Sequence, residues 1–376
     1  MQDPFADIRP YEDDEVGAVV QRLLLSESLS SALIKYRFSG WPLWLRKLAE
    51  PVLWAVIRRR IKHITSVDEF QRLIAHWVEA LLTRSSTDIQ VRGLDKLDPA
   101  SSYLWISNHR DIAMDPTMIN FSLHHAGWPT SRIAIGDNLL RHPDVADIMR
   151  LNKSFIVKRA IANKREKLRE LQRLSSYIRE SLDSGHSIWI AQREGRAKDG
   201  RDETDTAVLK MLALNGRDRG ETFEQTMSAM RPVPVSIQYE WDPCDVQKAR
   251  ELVIRQQTGR YDKEDDEDTR SILQGLTGFK GRIYVDFGAP VTGDALASAD
   301  LLAVEIDRQL AEMTEILPVH QAAMNLLHNQ PVAGQAEASA KILQSRIAAE
   351  EPDVAARILT TYATPLLRQQ ELQDSL

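Results

Sequence analysis

The chain has 376 residues, of which 43% are hydrophobic and 27% are charged, and its formal net charge at pH 7 is −6. The single cysteine, Cys244, excludes a disulfide framework and favours a reducing compartment. No apolar run reaches about 18 residues, so we expect no transmembrane helix. The polar, acidic N-terminus predicts no signal peptide.

The N-terminal part of the sequence, residues 1–86, is predicted to be helical. Residues 16–25 are apolar at mixed spacing, residues 41–63 are amphipathic, and residues 67–82 are predicted as a third helix. Gly40 marks a break between the first two stretches, and Pro42 suits the start of a helix because its missing N–H has no partner there. We therefore expect a helical extension ahead of the next domain.

Residues 34–64 combine many basic side chains with aromatic residues and contain one acid, Glu50. The aromatic residues are Tyr36, Phe38, Trp41, Trp44 and Trp54. Trp at an apolar–water boundary and basic residues beside anionic lipid are typical of a helix lying in a membrane surface. The alternative is that these residues pack onto the protein core and leave a solvated basic face.

From residue 87 onward, predicted strands alternate with predicted helices. The strands are residues 89–91, 103–106, 132–135, 155–157, 187–191, 233–237 and 282–287, and the helices are 116–125, 145–151, 163–182, 204–214 and 245–256. This alternation predicts an α/β domain over residues 87–292, with sites at the strand ends. Residues 293–376 predict a helical extension, and the acidic run 262–268 predicts a solvated loop or helix start rather than a metal site.

A histidine lies where a strand passes into a helix. The buried strand at 103–106 precedes His109, and Pro116 suits the first turn of the helix that follows. A histidine whose ring is held by a carboxylate can take a proton from a hydroxyl group. Asp115 and Asp111 are both within reach to hold it, and Asp111 could instead cap the helix.

The sequence His-Arg-Asp at 109–111 also occurs in the catalytic loop of protein kinases. A kinase needs an Asn five residues after that Asp to hold magnesium, and this chain has Pro116 there. The Gly-rich loop, the Val-Ala-Ile-Lys motif and the Asp-Phe-Gly motif are absent as well. The kinase interpretation is therefore excluded.

Five sequence blocks instead resemble the glycerolphosphate and lysophosphatidate acyltransferases. The family's first block is Asn-His-x-x-x-x-Asp, and here five residues rather than four separate His109 from Asp115. The further blocks follow in the family's order at residues 135–140 with 155–159, 194–196, 233–237 and 282–291. The resemblance implies a divergent member with a mixed sheet flanked by helices, with His109 as general base and Asp115 as its orienting carboxylate.

The third block, Glu194-Gly195-Arg196, is predicted to bind the acyl acceptor. Gly195 lets the backbone approach a ligand closely, and Arg196 can hold a phosphate through two parallel hydrogen bonds. By the resemblance, Glu194 binds the acceptor. The basic pair Lys158 and Arg159, at the end of the strand at 155–157, is expected to complete the phosphate site. The alternatives are an ordinary charged turn and plain surface charge.

The resemblance implies transfer of a fatty acyl group from acyl-CoA or acyl-carrier protein to a hydroxyl of glycerol-3-phosphate or a lysophospholipid. It implies no metal, no other cofactor and no nucleic acid. A thioesterase or lipase-type hydrolase and a non-catalytic lipid-binding protein are the alternatives, although no Gly-x-Ser-x-Gly elbow is present. For a lipid-handling enzyme, we expect residues 34–64 to bind the inner membrane surface from the cytoplasm.

Overall fold

The computed structural model describes residues 3–38, 40 and 42–374, with only the backbone described at 32, 33, 35–37, 43, 46, 48 and 372–374. The helices in this part are α1 (Asp13–Leu24), α2 (Glu27–Arg37), α3 (Leu43–Ile61), α4 (Val67–Ser85), α5 (Met114–His125), α6 (Pro143–Leu151), α7 (Lys164–Asp183), α8 (Thr206–Leu212), α9 (Gly216–Arg219), α10 (Phe223–Met230), α11 (Asp245–Thr258), α12 (Glu267–Thr277), α13 (Ala299–Met313), α14 (Pro318–Leu327), α15 (Ala336–Ile347) and α16 (Pro352–Asp374). The strands are β1 (Ser86–Arg92), β2 (Leu104–Ser107), β3 (Arg132–Gly136), β4 (Ser154–Val157), β5 (Ile188–Ala191), β6 (Pro232–Tyr239) and β7 (Gly281–Phe287).

These elements confirm the predicted α/β class with a mixed sheet flanked by helices. Each predicted strand is present, and α3 begins directly after Pro42. One helix of the N-terminal part was missed: α2 begins after Ser26, whose side chain accepts the Leu29 N–H at 3.1 Å. α10 was also missed, and α12 begins at Glu267 inside the acidic run.

Contacts divide the chain into two compact units, one of residues 1–79 and 132–170, the other of residues 80–131 and 171–376. This division does not follow the linear scheme of domains at 1–86, 87–292 and 293–376, which stays a prediction. In the second unit the strands lie side by side in the order β1-β7-β6-β2-β5. β1 pairs with β7 in parallel, β7 with β6 antiparallel, and β6 with β2 and β2 with β5 in parallel.

The central strand of this second unit is β2. Leu104, Trp105 and Ile106 have no exposed surface, since parallel neighbours flank the strand on both sides. Because β2, β5 and β6 run in the same direction, their carboxyl ends meet at one edge of the sheet. The segments that follow β2 and β5, and the last residue of β6, therefore lie close together.

The C-terminal helices form a second hydrophobic core in the same unit. It is built largely from side chains of α11 and of α14, α15 and α16, among them Val319, Ala322, Leu343, Ile358 and Ala363, all at most 1% exposed. The helical prediction for residues 293–376 agrees with these elements. The extension is thus packed onto the α/β part rather than separate from it.

In the first unit, α1, α3, α4 and α6 contribute to a core that contains Val16, Leu23, Phe70 and Leu151. Strands β3 and β4 of this unit pair in parallel. No helix among the described residues has both the length and the apolarity needed to cross a membrane.

Candidate active site

The turn between β2 and α5, residues 108–115, holds the histidine and its carboxylate in contact. We call it the His109 turn. His109 Nδ1 lies 2.8 Å from Asp115 Oδ2, with the Asp115 side chain fully buried and the His109 side chain 14% exposed. A carboxylate only accepts hydrogen bonds, so the proton of the neutral ring belongs on Nδ1. This leaves the Nε2 lone pair of His109 available as a base.

Asp115 is held by three further donors. Its Oδ2 accepts the backbone N–H groups of Arg110 at 2.6 Å and Asp111 at 2.8 Å, and its Oδ1 accepts the Tyr239 hydroxyl at 2.9 Å. Burial raises the pKa of Tyr239 well above its usual value, so this phenol stays protonated and donates. Four accepted hydrogen bonds fix the Asp115 carboxylate and compensate its charge in a buried position.

The other carboxylate of the turn, Asp111, has a different role. Its Oδ1 accepts the backbone N–H groups of Ala113 at 3.0 Å and Met114 at 2.8 Å, which are donors at the start of α5. Asp111 therefore caps the helix, while Asp115 contacts His109. Burial raises the pKa of Asp111, and the negative charge of Asp115 adds to this effect.

The remaining polar side chains of the turn fasten it to its surroundings. The Asn108 amide brackets the backbone of Ile237 in β6, donating to its carbonyl at 3.0 Å and accepting its N–H at 2.8 Å. The Arg110 guanidinium donates to Asp202 at 2.6 Å and to the Gly200 carbonyl at 3.2 Å. In this structure both side chains hold the turn in place.

An aromatic ring from β5 packs against the histidine. The rings of Trp189 and His109 have centroids 5.9 Å apart and meet edge to face at 72°. The Trp189 indole N–H donates to Ser107 Oγ at 2.9 Å, which fixes the orientation of the indole. The ring of His109 is therefore held by a hydrogen bond at Nδ1 and by a neighbouring aromatic side chain.

The Glu194-Gly195-Arg196 segment follows β5 and reaches the backbone of the turn. The Ala197 N–H donates to the His109 carbonyl at 2.8 Å. Gly195 has φ +79°, a left-handed conformation that explains the need for glycine at this position. Glu194 is exposed. The structure thus brings the third sequence block next to His109.

Arg196 lies half-buried in the same segment, and its Nη1 donates to Ser271 Oγ of α12 at 2.7 Å. Its neighbour Lys198 forms an ion pair with Glu251, and burial lowers the pKa of Lys198 despite that partner. The described hydrogen bond of Arg196 is thus to a neutral hydroxyl, whereas Lys198 is engaged with a carboxylate.

The other two predicted phosphate ligands belong to the first unit. Lys158 forms ion pairs with Asp7 at 2.7 Å and Glu170 at 3.1 Å, and the hydrogen bond that it donates to Asp7 is the main cause that raises the pKa of Lys158. The Arg159 guanidinium lies over Gly136, where a Cβ would stand 2.8 Å from Arg159 Cζ. Gly136 therefore makes room for this arginine.

The sequence did not predict three contacts of the site. The Tyr239 hydroxyl donates to Asp115, the Trp189 ring packs against His109, and Lys248 Nζ donates to the Arg110 carbonyl. Tyr239 ends β6 and Trp189 lies in β5, so both belong to strands beside β2. Strand order would have been needed to find them, and the sequence predicted strands without their order.

The acidic run that follows α11 carries ion pairs in the structure. Lys263 pairs with Asp268 at 2.8 Å, and Arg270 pairs with Asp266 at 3.1 Å. Within residues 3–38, 40 and 42–374, no group of three or more His, Cys, Asp or Glu side chains is arranged to hold a metal ion.

Residues 88–213 match the family model described as Acyltransferase. This segment includes the His109 turn, Arg159 and the Glu194-Gly195-Arg196 block, and it is an acyltransferase domain. Over these residues the match agrees with the predicted resemblance to the glycerolphosphate and lysophosphatidate acyltransferases.

A solved structure similar to the chain is the 1-acyl-sn-glycerophosphate (LPA) acyltransferase PlsC from Thermotoga maritima. The sequence identity is 15%, the match covers 79% of this chain and 86% of that chain, and the TM-score is 0.37. No curated protein sequence matches the chain.

Proposed function

We propose that this acyltransferase moves a fatty acyl group from acyl-CoA or acyl-carrier protein to a hydroxyl of glycerol-3-phosphate or a lysophospholipid, in phospholipid biosynthesis. The observation that carries the proposal is the His109–Asp115 pair, 2.8 Å apart at the carboxyl end of β2 inside the acyltransferase domain. No metal or further cofactor takes part in the proposed reaction.

In the proposed reaction, His109 Nε2 removes the proton of the acceptor hydroxyl as its oxygen attacks the thioester carbonyl. Asp115 keeps the Nδ1 proton in place and stabilises the imidazolium that forms. When the tetrahedral intermediate collapses, the carbon–sulfur bond breaks and the new ester remains. The thiolate leaves with the proton that the imidazolium returns, so His109 is neutral again.

For the acceptor's phosphate, we propose Arg196 as the main ligand. Its hydrogen bond goes to a neutral hydroxyl, Ser271, with the Asp242 carboxylate near enough to interact electrostatically. It also lies in the segment bonded to the His109 carbonyl. Glu194 and Gly195 would bind the acceptor beside it, as the family resemblance implies. The phosphate-binding roles predicted for Arg159 and Lys158 stay separate proposals, and that of Lys158 is the weaker because Lys158 is paired with two carboxylates.

We propose that α3 binds the surface of an anionic membrane. Trp44, Val52 and Val56 are 62%, 66% and 49% exposed, and the basic residues 58–60 that follow are exposed as well. Exposed apolar side chains beside a basic cluster suit a helix lying among lipid headgroups. Trp54 does not share this role, because it packs on the core of its unit and donates to the Leu24 carbonyl at 3.1 Å. Trp41 lies outside the described residues.

The test is to incubate the full chain with a long-chain acyl-CoA or acyl-carrier protein and a panel of glycerol-based acceptors, and to identify products by mass spectrometry. We expect an acylated glycerophosphate or phospholipid. His109→Ala should lower the rate on the order of 10²–10⁴-fold without loss of fold. The control is His124→Ala, an exposed histidine of α5.

The two alternatives give other results in the same assay. Free fatty acid without an acylated acceptor would identify a hydrolase, and binding without turnover would identify a lipid-binding protein. A folded His109→Ala protein with normal turnover would contradict the mechanism.

A further inference from the structure

Buried polar contacts connect the C-terminal helices to the His109 turn. The first is made by Lys248 of α11, whose side chain is 3% exposed. Its Nζ donates to the backbone carbonyl of Arg110 at 2.5 Å and forms an ion pair with Asp242. An ammonium group that is buried to this degree needs such partners, because burial without them is costly.

The carbonyl that Lys248 holds belongs to the peptide group joining Arg110 to Asp111. The N–H of that same peptide group donates to Asp115 Oδ2 at 2.8 Å. One peptide group therefore accepts a hydrogen bond from Lys248 at its carbonyl and donates one to Asp115 at its N–H. Asp115 in turn accepts the hydrogen bond of His109 Nδ1. Hydrogen bonds linked in series through a peptide group polarise and strengthen one another.

Helices α15 and α16 contact the segment that carries Asp242 and Asp245. The Tyr362 hydroxyl of α16 donates to Asp245 at 2.8 Å and accepts the Asp242 N–H at 3.0 Å. Arg346 of α15 pairs with Asp245 and donates to the Asp242 carbonyl at 3.2 Å. Burial raises the pKa of Asp245, but it lies in an ion pair that opposes this effect.

Two cations of this cluster, Lys248 and Arg346, form ion pairs with the carboxylates of Asp242 and Asp245. Burial alone would raise the pKa of Asp242, but the ammonium of Lys248 and its hydrogen bond hold that pKa below the usual value. The C-terminal helices thus supply one guanidinium and one hydroxyl to a mostly buried network that ends on the His109 turn.

We propose that Lys248 is a positioning residue for the His109–Asp115 pair, and that α15 and α16 fix it through Asp242 and Asp245. This gives the C-terminal extension a part in catalysis that its sequence did not reveal. The assignment rests on the proposed function for its kinetic test, but its spectroscopic test is independent of turnover.

The kinetic test compares Lys248→Met with a charge-balanced variant, Lys248→Met/Asp242→Asn, because the single change leaves the half-buried Asp242 carboxylate without its ion-pair partner. We expect kcat to fall about 10–100-fold in each folded variant, since small misplacement of reacting groups is costly. The KM values for both substrates should change less than about threefold, because no substrate contact is removed. Tyr362→Phe should lower kcat about threefold.

The matched control is Arg250→Met. Arg250 lies two residues further along α11 and pairs with Glu350 of the C-terminal segment at 2.8 Å, but its side chain is 56% exposed. Like the Lys248 variants, the Arg250→Met variant loses an ion pair of α11, but Arg250 does not contact the His109 turn. The kcat of this variant should therefore stay within twofold of that of the unmodified protein.

The spectroscopic test uses proton NMR to follow the proton between His109 Nδ1 and Asp115. We expect a downfield resonance in the full chain that is absent from His109→Ala. Lys248→Met/Asp242→Asn should shift or broaden it, and Arg250→Met should not. An unchanged resonance and normal kcat in the folded double variant would overturn the proposal, as would an equal loss in Arg250→Met. If the unmodified protein transfers no acyl group, the proposed function fails while the resonance still decides the positioning role.

Discussion

The His109 turn and helix α3 differ in how far their charged and polar groups are buried and hydrogen-bonded. In the turn, Asp115 has no exposed surface and accepts four hydrogen bonds. In α3, Trp44 and the basic residues 58–60 remain exposed to solvent. Buried polar groups with complete partners give a fixed geometry that suits chemistry. Exposed apolar and basic groups lack that geometry and suit a broad anionic surface.

The first prediction tests which carboxylate of the turn matters. Asp115→Asn should lower kcat on the order of 10²–10³-fold, because the amide no longer stabilises an imidazolium and favours the wrong ring tautomer. Asp111→Asn should cost less than about fivefold, because an Asn side chain still caps a helix. Steady-state kinetics of the two folded variants give the comparison, and a larger loss for Asp111→Asn would reverse the assignment.

The second prediction tests α3. Replacing Arg58, Arg59 and Arg60 by Gln should weaken binding to anionic vesicles on the order of 10²-fold, because each basic residue contributes about 1 kcal/mol near such a surface. Flotation with vesicles of phosphatidylglycerol and phosphatidylcholine, compared with phosphatidylcholine alone, measures it. Trp44→Ser should weaken binding to both kinds of vesicle.

The control for α3 removes the same charge elsewhere, by replacing Arg260, Arg270 and Arg308 with Gln. These side chains are 81%, 50% and 46% exposed and lie in the other unit. If the control loses as much vesicle binding as the α3 variant, binding follows net charge and the role of α3 is wrong.

The sequence predicted the strands of this chain well, because apolar runs such as residues 104–106 are too short for a helix and are bounded by polar segments. It also found His109 and both nearby carboxylates. It could not choose between Asp111 and Asp115, since both are close enough in sequence to reach the ring. Helix α10 was missed because its eight residues are too few for a clear helical period.

The parts of the site that the sequence did not reveal come from distant positions. Tyr239 is 124 residues from Asp115, and Lys248 is 138 residues from Arg110. Such contacts depend on strand order and on the packing of α11, neither of which a local pattern specifies. In the sequence, Lys248 and Tyr239 carry no pattern that marks them as functional. Only the folded structure shows that both contact the His109 turn.

The third prediction concerns Arg196. Arg196→Ala should raise the KM of the phosphorylated acceptor about 10–100-fold, since a hydrogen bond to a charged group contributes about 1.5–3 kcal/mol. The effect on kcat should be smaller, because the phosphate is bound equally in the ground state and the transition state. Arg196→Lys should recover part of the loss, because an ammonium keeps the charge but lacks the two-pronged geometry.

Initial rates with each substrate varied in turn measure this effect, and Ser271→Ala is the control that removes the partner of Arg196 and keeps the guanidinium. A rise only in the KM of the acyl donor would assign Arg196 to the donor's phosphates. If neither KM changes in Arg196→Ala, the third block does not bind substrate phosphate.

The last prediction concerns Tyr239→Phe, which removes one of the four hydrogen bonds on Asp115 and keeps the ring in place. We expect kcat to fall about fivefold, since a neutral hydrogen bond contributes about 1 kcal/mol. With one donor fewer, the Asp115 carboxylate is held less firmly and orients the His109 ring less well. Tyr284→Phe, a change to another tyrosine of the sheet, is the control and should leave kcat unchanged. An unchanged kcat in the folded Tyr239→Phe protein, or an equal loss in Tyr284→Phe, would mean that the Tyr239 hydroxyl does not position the His109–Asp115 pair.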